Sequence, residues 1–97
     1  MRLRLTPEAV QDITEIADYL RARNPEAALR VRTAILEALE SVVLFPQVGR
    51  RQTMEGVRKL VVRRYPYLIY YLVDESSDQV VVLYIQHASR RRTQRDA

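Results

Sequence analysis

The pattern of apolar and polar positions divides the chain into a helical first half and a strand-rich second half. Residues 2–5 predict a short first strand. Apolar residues then recur at helical spacing and predict two helices, one from 7 to about 23 and one from 25 until Phe45-Pro46. Both helical stretches open on a capping residue, a proline and an acid, in Thr6-Pro7-Glu8 and Asn24-Pro25-Glu26. Because almost no loop separates the two stretches, we expect an antiparallel helical hairpin.

β-Branched and aromatic residues dominate after Gly56 and predict three more strands. These predicted strands are 57–65, 68–73 and 79–86. Pro66 and the polar run 74–78 mark the turns between them, and residues 47–54 are predicted to form a loop. Short turns make the three strands an antiparallel meander, in which we expect the last two strands to be central.

The order β-α-α-β-β-β indicates an α+β fold in a single domain over residues 1–97. The helical hairpin must bury its apolar stripe, and one face of a small antiparallel sheet is the surface that can cover it. The other face would then carry aromatic and basic residues of the second half. The residues that we expect to be buried are Ile35, Leu39, Ile69 or Tyr70, and Leu83. The last residues, about 89–97, form a basic tail that we expect to be flexible.

The amino-acid composition excludes disulfides and several classes of metal site. The 97 residues include no cysteine and one histidine, His87. Disulfides, thiolate metal sites and a multi-histidine zinc site within one chain are therefore excluded, and we expect no cofactor or metal. The opening residues lack an apolar signal-peptide core, and no apolar run reaches membrane-spanning length. We therefore expect a cytoplasmic protein with no membrane partner.

The positive charge belongs to the second half of the chain. Residues 1–49 contain six arginines against seven acids, whereas residues 50–97 contain nine arginines and one lysine against five acids. This asymmetry favours an anionic partner, either nucleic acid or an acidic protein surface. A solubilising surface is the alternative, because the net charge of the whole chain is only +4.

Basic and aromatic side chains are interleaved through the second half. The basic residues are Arg50, Arg51, Arg58, Lys59, Arg63 and Arg64, and the tyrosines are Tyr65, Tyr67, Tyr70, Tyr71 and Tyr84. Guanidinium groups bind phosphates and rings stack on unpaired bases, so such a surface suits RNA. Tyrosine is also a favoured strand residue, and we expect two or three of the five to serve packing.

His87, at the end of the last predicted strand, has the side chain best suited to proton transfer near neutral pH. A structural, hydrogen-bonded histidine is the alternative. The following run Arg90-Arg91-Arg92 suits contact with phosphates or with an acidic partner, and a solvated terminus is its alternative. The sequence contains no nucleophile elbow and no glycine-rich phosphate loop.

Four segments in order along the chain resemble the RelE/ParE toxin superfamily. They are Phe45-Pro46-Gln47-Val48-Gly49-Arg50, Gly56-Val57-Arg58, Tyr65-Pro66-Tyr67-Leu68-Ile69-Tyr70-Tyr71 and Val82-Leu83-Tyr84-Ile85-Gln86-His87-Ala88-Ser89-Arg90. The opening Leu5-Thr6-Pro7-Glu8-Ala9, followed by Asp12-Ile13, is similar too. The resemblance covers nearly the whole chain and rests on the order of these segments along the β-α-α-β-β-β skeleton.

The resemblance implies the toxin of a type II toxin–antitoxin system and leaves two branches open. A RelE-like member would be a ribosome-dependent mRNA interferase that needs no metal, and His87, Arg90 and Arg58 would be its candidate catalytic residues. A ParE-like member would inhibit DNA gyrase and catalyse no reaction.

The ParE-like branch is favoured by the residues at three positions. RelE-like toxins usually carry an arginine at about the position of Tyr67 and a tyrosine near the position of Asp96, and both are absent here. His87-Ala88-Ser89-Arg90 resembles the ending that is common in ParE-like members. We therefore predict gyrase inhibition without enzymatic activity.

The resemblance also implies a cognate antitoxin, and hence a hetero-oligomer. DNA gyrase would be the target, or the ribosome and mRNA in the RelE-like alternative. The residues that we expect to bind partners are Arg50, Arg51, Arg58, Arg63, Arg64, Tyr67, Arg90, Arg91 and Arg92. A non-toxic basic nucleic-acid-binding domain is a further alternative, but it would need exposed Arg and Asn at the start of a recognition helix. The first helix begins instead with Pro7, Glu8 and Asp12.

Overall fold

Two helices and five strands account for the regular structure of residues 1–89, which are the residues that the computed structural model describes. In chain order they are β1 (Arg2–Leu5), α1 (Pro7–Arg23), α2 (Pro25–Leu44), β2 (Arg50–Arg51), β3 (Val57–Val61), β4 (Tyr67–Asp74) and β5 (Gln79–His87). The predicted helices and the three long strands of the second half are confirmed. The expectations for the basic tail fall on residues 90–97, which lie outside the described residues.

The helix boundaries follow from two capping side chains. Thr6 Oγ1 accepts a hydrogen bond from the backbone N–H of Ala9 at 3.1 Å, and Asn24 Oδ1 accepts one from Ala27 at 3.1 Å. The backbone N–H of Asn24 also donates to Leu20 O, so this one residue ends α1 and begins α2. Each cap stabilises its helix by about 1 kcal/mol. A connection this short keeps the two helices together as the predicted hairpin.

The five strands form one sheet in the order β1-β5-β4-β3-β2. The strands from β2 to β5 make an antiparallel meander, with β4 and β5 inside the sheet as predicted. β1 pairs with β5 in parallel, so the sheet is mixed rather than wholly antiparallel. Tight turns impose antiparallel pairing within the meander, whereas no turn links β1 to β5 and the helical hairpin sets their relative direction.

The helices cover one face of the sheet, and the main core lies between them. Its helical members are Ala9, Val31, Ile35, Ala38, Leu39 and Val42, and its strand members are Tyr67, Ile69, Tyr71, Val80, Val82 and Ile85. Val62 joins this core from the turn after β3. The predicted burial of Ile35, Leu39, Ile69 and Tyr70 is confirmed. The prediction for Leu83 is wrong, because Leu83 is only partly buried. Tyr70 pairs with Tyr84 while Tyr71 pairs with Val82, so Leu83 is the extra residue of a β-bulge.

The opposite face carries a smaller cluster of apolar and aromatic residues. Tyr70 and Tyr84 stack there with ring centroids 4.6 Å apart, and Val57 is buried beside them. The strand register places Lys59 next to Tyr70, and Arg50 next to Lys59. Neighbours in register share a face, so aromatic and basic residues do lie together on this side of the sheet.

Two segments differ from the sequence-based prediction. The predicted loop over 47–54 contains β2, a two-residue strand that pairs with β3. The strand predicted over 57–65 ends at Val61, and residues 62–66 turn into β4. Arg64 has a φ of 74°, which no strand residue adopts, and Pro66 has no N–H to donate to a neighbouring strand.

Candidate functional site

A groove of about 420 Å³ opens between α1 and the end of β5, and we call it the α1–β5 groove. The polar and aromatic residues that line it are Asp12, Glu15, Tyr19, Tyr67, Gln86, His87 and Ser89. The helical residues lie on one stripe of α1, because positions three and four residues apart share a helix face. The strand residues come from the start of β4 and the end of β5, which are paired through Tyr67 and His87. The groove is therefore the place where the sequence-predicted histidine meets the first helix.

His87 is held by its neighbours in the strand end. The backbone N–H of Ser89 donates to His87 Nδ1 at 3.1 Å, and Ser89 Oγ lies 2.7 Å from the same nitrogen. A nitrogen that accepts the backbone hydrogen bond carries no proton, so the neutral ring bears its proton on Nε2. The ring meets Tyr67 edge to face, with centroids 5.4 Å apart. Both the structural and the functional interpretation of His87 are compatible with this geometry.

Asp12 connects α1 to β5. Its carboxylate accepts a hydrogen bond from the backbone N–H of Ile85 at 2.9 Å. Hydrogen bonds to a charged acceptor are among the stronger ones in proteins, so this contact fixes α1 against the strand that carries His87. Sequence reasoning noted Asp12 as part of the family resemblance and did not assign it this role.

A second polar cluster holds the loop between α2 and β2, and we call it the Tyr71 network. The Tyr71 hydroxyl donates to Pro46 O at 2.8 Å and accepts from the Gly49 N–H at 2.8 Å. Arg58 Nη1 donates to Gly49 O at 2.8 Å and to Gln47 O at 3.2 Å. Burial raises the pKa of the Tyr71 hydroxyl, while the Gly49 hydrogen bond and the Arg58 charge lower it by less. The network fixes the loop that leads into Arg50 and Arg51.

Gly49 has no room for a side chain. A Cβ atom at this position would lie 2.6 Å from the Tyr71 oxygen and 2.8 Å from a carbon of its ring. The close approach of Tyr71 thus gives a structural reason for the glycine in the motif Phe45-Pro46-Gln47-Val48-Gly49-Arg50, which carried part of the family resemblance. The role of Tyr71 could not be predicted from the sequence, because its partners are more than 20 positions away along the chain.

The predicted cationic residues do not converge on His87 in the described part of the chain. Arg58 on β3 pairs with Tyr71, and His87 on β5 pairs with Tyr67. Arg58 and His87 therefore lie four residues apart along the strand direction and two strands apart across the sheet. This register separates them by about 13 Å along the strands and about 10 Å across them. Arg50 and Arg51 lie at the edge of the sheet on β2, far from β5 in the strand order.

Arg63 and Arg64 line a different groove, of about 460 Å³, which runs along α2 and which we call the α2 groove. Leu29, Arg30 and Glu37 form its helical side. Tyr67, another predicted contact residue, is 8% exposed and belongs to the main core. Arg90, Arg91 and Arg92 lie outside the described residues, so their predicted contacts remain predictions. No helix within residues 1–89 has both the length and the apolar character of a membrane span.

Solved structures similar to this chain include components of toxin–antitoxin systems. The chromosomal ParDE system from P. aeruginosa is similar with a TM-score of 0.76 and 28% identity, over 90% of this chain and 95% of that chain. The intact E. coli RelBE toxin–antitoxin complex has the same fold, with a TM-score of 0.61 and 18% identity, over 92% of this chain and 98% of that chain.

The model of the ParE toxin family of type II parDE toxin–antitoxin systems matches residues 3–92, and the chain belongs to this family. Toxin Y4kP of Sinorhizobium fredii is 32% identical, over 93% of this chain and 91% of the relative. Toxin RelE2 of Caulobacter vibrioides is 36% identical, over 88% of this chain and 92% of the relative. The chain is thus a toxin of the type II toxin–antitoxin class, in the ParE/RelE superfamily.

Proposed function

We propose that the chain acts as a ParE-like toxin, inhibiting DNA gyrase until a cognate antitoxin neutralises it. The observation that supports this proposal is the separation of His87 from Arg58. An interferase must activate a 2′-hydroxyl and stabilise a crowded phosphate, which requires charged groups within hydrogen-bond reach of one phosphate. Arg58 instead donates to two backbone carbonyls, in a network some distance from His87. This arrangement favours a binding toxin over a nuclease.

The proposed antitoxin would cover both basic and apolar surface. Large apolar side chains are exposed on and after α2, namely Leu29, Leu36, Leu44, Phe45 and Val48, with 66% of Leu29 and 72% of Leu44 accessible. A segment that folds on binding can wrap such a surface and pair its acids with nearby arginines. The basic residues available for this pairing are Arg50, Arg51, Arg63 and Arg64, whereas Arg58 is already engaged in the Tyr71 network.

The target is tested by producing the chain without its antitoxin. DNA supercoiling by purified gyrase and messenger cleavage on translating ribosomes are measured side by side. We expect supercoiling to be lost while messengers stay intact. Supercoiling at the control rate in the presence of folded toxin would contradict the proposal.

The RelE-like alternative is supported by relatives named toxin RelE2 and toxin RelE3, and by the position of His87 on an open groove. It predicts codon-phased cleavage of messengers that His87→Ala or Arg90→Ala abolishes in a folded protein. Glu37→Gln, a change of similar size on the α2 groove, serves as the control that should leave such cleavage intact.

The antitoxin is tested by coexpression with the neighbouring reading frame. We expect a stable complex whose affinity falls only modestly with salt if apolar burial dominates, because salt screens ion pairs and does not screen apolar contacts. A chain that is harmless when expressed alone and copurifies with nothing from its operon would overturn this part of the proposal.

A further inference from the structure

The two grooves of the molecule carry opposite charge. Two carboxylates line the α1–β5 groove. The α2 groove has the opposite character, because Arg30, Arg63 and Arg64 outnumber Glu37, the single acid among the described residues that line it. Like charges that share a groove repel one another, and an anion that binds between them removes this repulsion. The α2 groove is therefore suited to an anionic ligand.

The guanidinium groups of the α2 groove have no partner within residues 1–89. Arg30, Arg63 and Arg64 are all exposed, and no hydrogen bond or ion pair of the described chain involves their side chains. Arg30 and Glu37 are seven residues apart on α2, which separates them by about 10 Å along the helix axis. Each guanidinium group carries five N–H donors in a fixed fork, and all of these donors stay available to an acceptor from outside.

The turn between β3 and β4 holds two of these arginines in place. Val62 is fully buried, its N–H donates to Tyr67 O at 2.9 Å, and its carbonyl accepts from the Tyr65 N–H at 3.3 Å. Within this turn Arg64 has a φ of 74°, in the left-handed region that favours glycine and asparagine. Backbone strain of this kind is found at binding sites, where a fixed turn also reduces the entropy lost when a ligand binds.

Apolar surface lies beside these charges. Leu29 lines the same groove and is 66% exposed, and the partly buried Ala34 lies one turn further along α2. A peptide can place a carboxylate on the arginines and an apolar side chain on Leu29, whereas the phosphate backbone of a nucleic acid has no apolar group to place there. Guanidinium groups bind carboxylates through two parallel hydrogen bonds. The groove therefore favours an acidic peptide over a nucleic acid.

We propose that the α2 groove is a carboxylate-binding site that takes an acidic residue of the antitoxin, with an apolar neighbour of that residue packed on Leu29. The antitoxin as source rests on the proposed function, while the carboxylate site stands on the groove alone. Because Arg30 and Glu37 lie at opposite ends of the helical stripe, the acid binds at the end of Arg30. This charge pattern fixes the direction in which the segment crosses α2.

The site is tested on the full chain by following backbone amide NMR shifts during titration. The probes are a capped peptide of alternating glutamate and leucine, its glutamine–leucine counterpart and a short thymidine oligonucleotide. We expect saturable shifts at Arg30, Arg64 and Tyr65 with the glutamate peptide, and binding about tenfold weaker with the glutamine peptide. Equal binding of the two peptides would overturn the carboxylate site. Tighter binding of the oligonucleotide in this groove would overturn the assignment to a peptide.

Matched variants of α2 separate the groove from general charge effects. Arg30→Gln should weaken the glutamate peptide about threefold, whereas Arg32→Gln, the same charge change outside the groove, should leave its affinity unchanged. Glu37→Gln should act in the opposite direction and tighten binding about twofold, with the exposed Glu40→Gln as its control. If Arg30→Gln and Arg32→Gln weaken the peptide equally, net charge alone attracts it and the site is overturned.

Arg64 tests the turn and the side chain separately. Arg64→Gly relieves the left-handed backbone, so the variant should unfold at a urea concentration no lower than that of the unmodified chain. It should nevertheless bind the glutamate peptide about threefold more weakly, because one guanidinium group is lost. A variant that binds the peptide as tightly as the unmodified chain would remove Arg64 from the site.

The same variants are then compared in the complex with the antitoxin. We expect Arg30→Gln and Arg64→Gly each to raise Kd about threefold and Arg32→Gln to leave it unchanged. If the peptide responds to these variants while the antitoxin Kd does not, the antitoxin is not the source of the acid. If no antitoxin exists while the peptide binds as expected, the proposed function fails and the carboxylate site stands.

Discussion

The Tyr71 network and the α1–β5 groove both place polar side chains against the main core, but they differ in how those groups are satisfied. In the network, the Tyr71 hydroxyl donates once and accepts once, and Arg58 donates to two carbonyls. In the groove, Glu15 is exposed and accepts one described hydrogen bond, from Gln11, and Tyr19 is half exposed. A satisfied buried network stabilises the fold, whereas exposed polar groups contribute little to its stability.

The arginines of the second half also differ from one another in what they contact. Arg58 has the same side chain and charge as Arg50 and Arg51. Its guanidinium group nevertheless donates hydrogen bonds to the loop that leads into those two residues. Arg63 and Arg64 instead line an open groove beside α2. Loss of toxicity in an Arg58 variant would therefore report on the loop as well as on a partner, and stability must be measured with it.

The largest effect is expected for Gly49→Ala, which places a methyl group 2.6 Å from the Tyr71 oxygen. Relieving this overlap displaces the hydroxyl from Pro46 and Gly49, so the free energy of unfolding should fall by about 3 kcal/mol. Urea denaturation measures the change. Val48→Ala, at an exposed neighbouring position, is the control and should stay within about 0.5 kcal/mol. Equal stability of the two variants would show that the network does not constrain the loop.

Tyr71→Phe should come next, with a loss of about 2 kcal/mol. The ring remains, but the Gly49 N–H and the Pro46 carbonyl lose their partner in a buried place. Tyr65→Phe is the matched control, because Tyr65 is only partly buried and none of the described hydrogen bonds involves its hydroxyl. If both variants unfold at the same urea concentration, the hydroxyl contacts of Tyr71 contribute nothing measurable.

Alkaline pH should weaken the fold through the same hydroxyl. Burial raises the pKa of Tyr71 above its ordinary value of 10.0, so the folded chain holds this proton more tightly than the unfolded chain. The stabilisation is complete below pH 10.0 and is lost as the pH rises through the folded pKa. Stability profiles from neutral pH upwards should therefore fall less steeply for Tyr71→Phe than for the unmodified chain. Parallel profiles would argue against this titration.

The smallest effect on stability is expected in the groove. Glu15 is exposed on α1 and accepts one hydrogen bond, from Gln11, so Glu15→Gln should change the free energy of unfolding by less than about 0.5 kcal/mol. A variant that unfolds easily would place Glu15 with the structural groups and remove the contrast between the two regions.

Local signals in the sequence were sufficient for most of the fold. Thr6 and Asn24, each followed by proline and an acid, located both helix starts, and β-branched and aromatic residues between turn signals located the meander. The error at Leu83 has a physical origin. A bulge adds one residue to a strand, and an apolar run such as Val80 to Leu83 carries no alternation that would reveal it.

The candidate site was predicted less completely. The sequence singled out His87 as the one imidazole and located it at a strand end, which the structure confirms. The residues that lie near His87 in the groove were not predictable from the sequence, because the packing of α1 on β5 brings Glu15 and Tyr19 there. Arg58 was assigned to partner or catalytic contacts on charge alone, and its hydrogen bonds to Gln47 and Gly49 depend on a loop whose path the sequence does not show.

The sequence by itself determined both helices, their hairpin and the order of the four longer strands, because capping, periodicity and turn chemistry act between residues close along the chain. The order of its motifs also indicated the toxin family that the family model confirms. The tertiary structure alone decided the parallel pairing of β1 with β5, the bulge at Leu83, the Tyr71 network and the opposite charges of the two grooves. Each of these joins positions far apart in sequence. Such contacts depend on how whole elements pack, and no local pattern of residues specifies them.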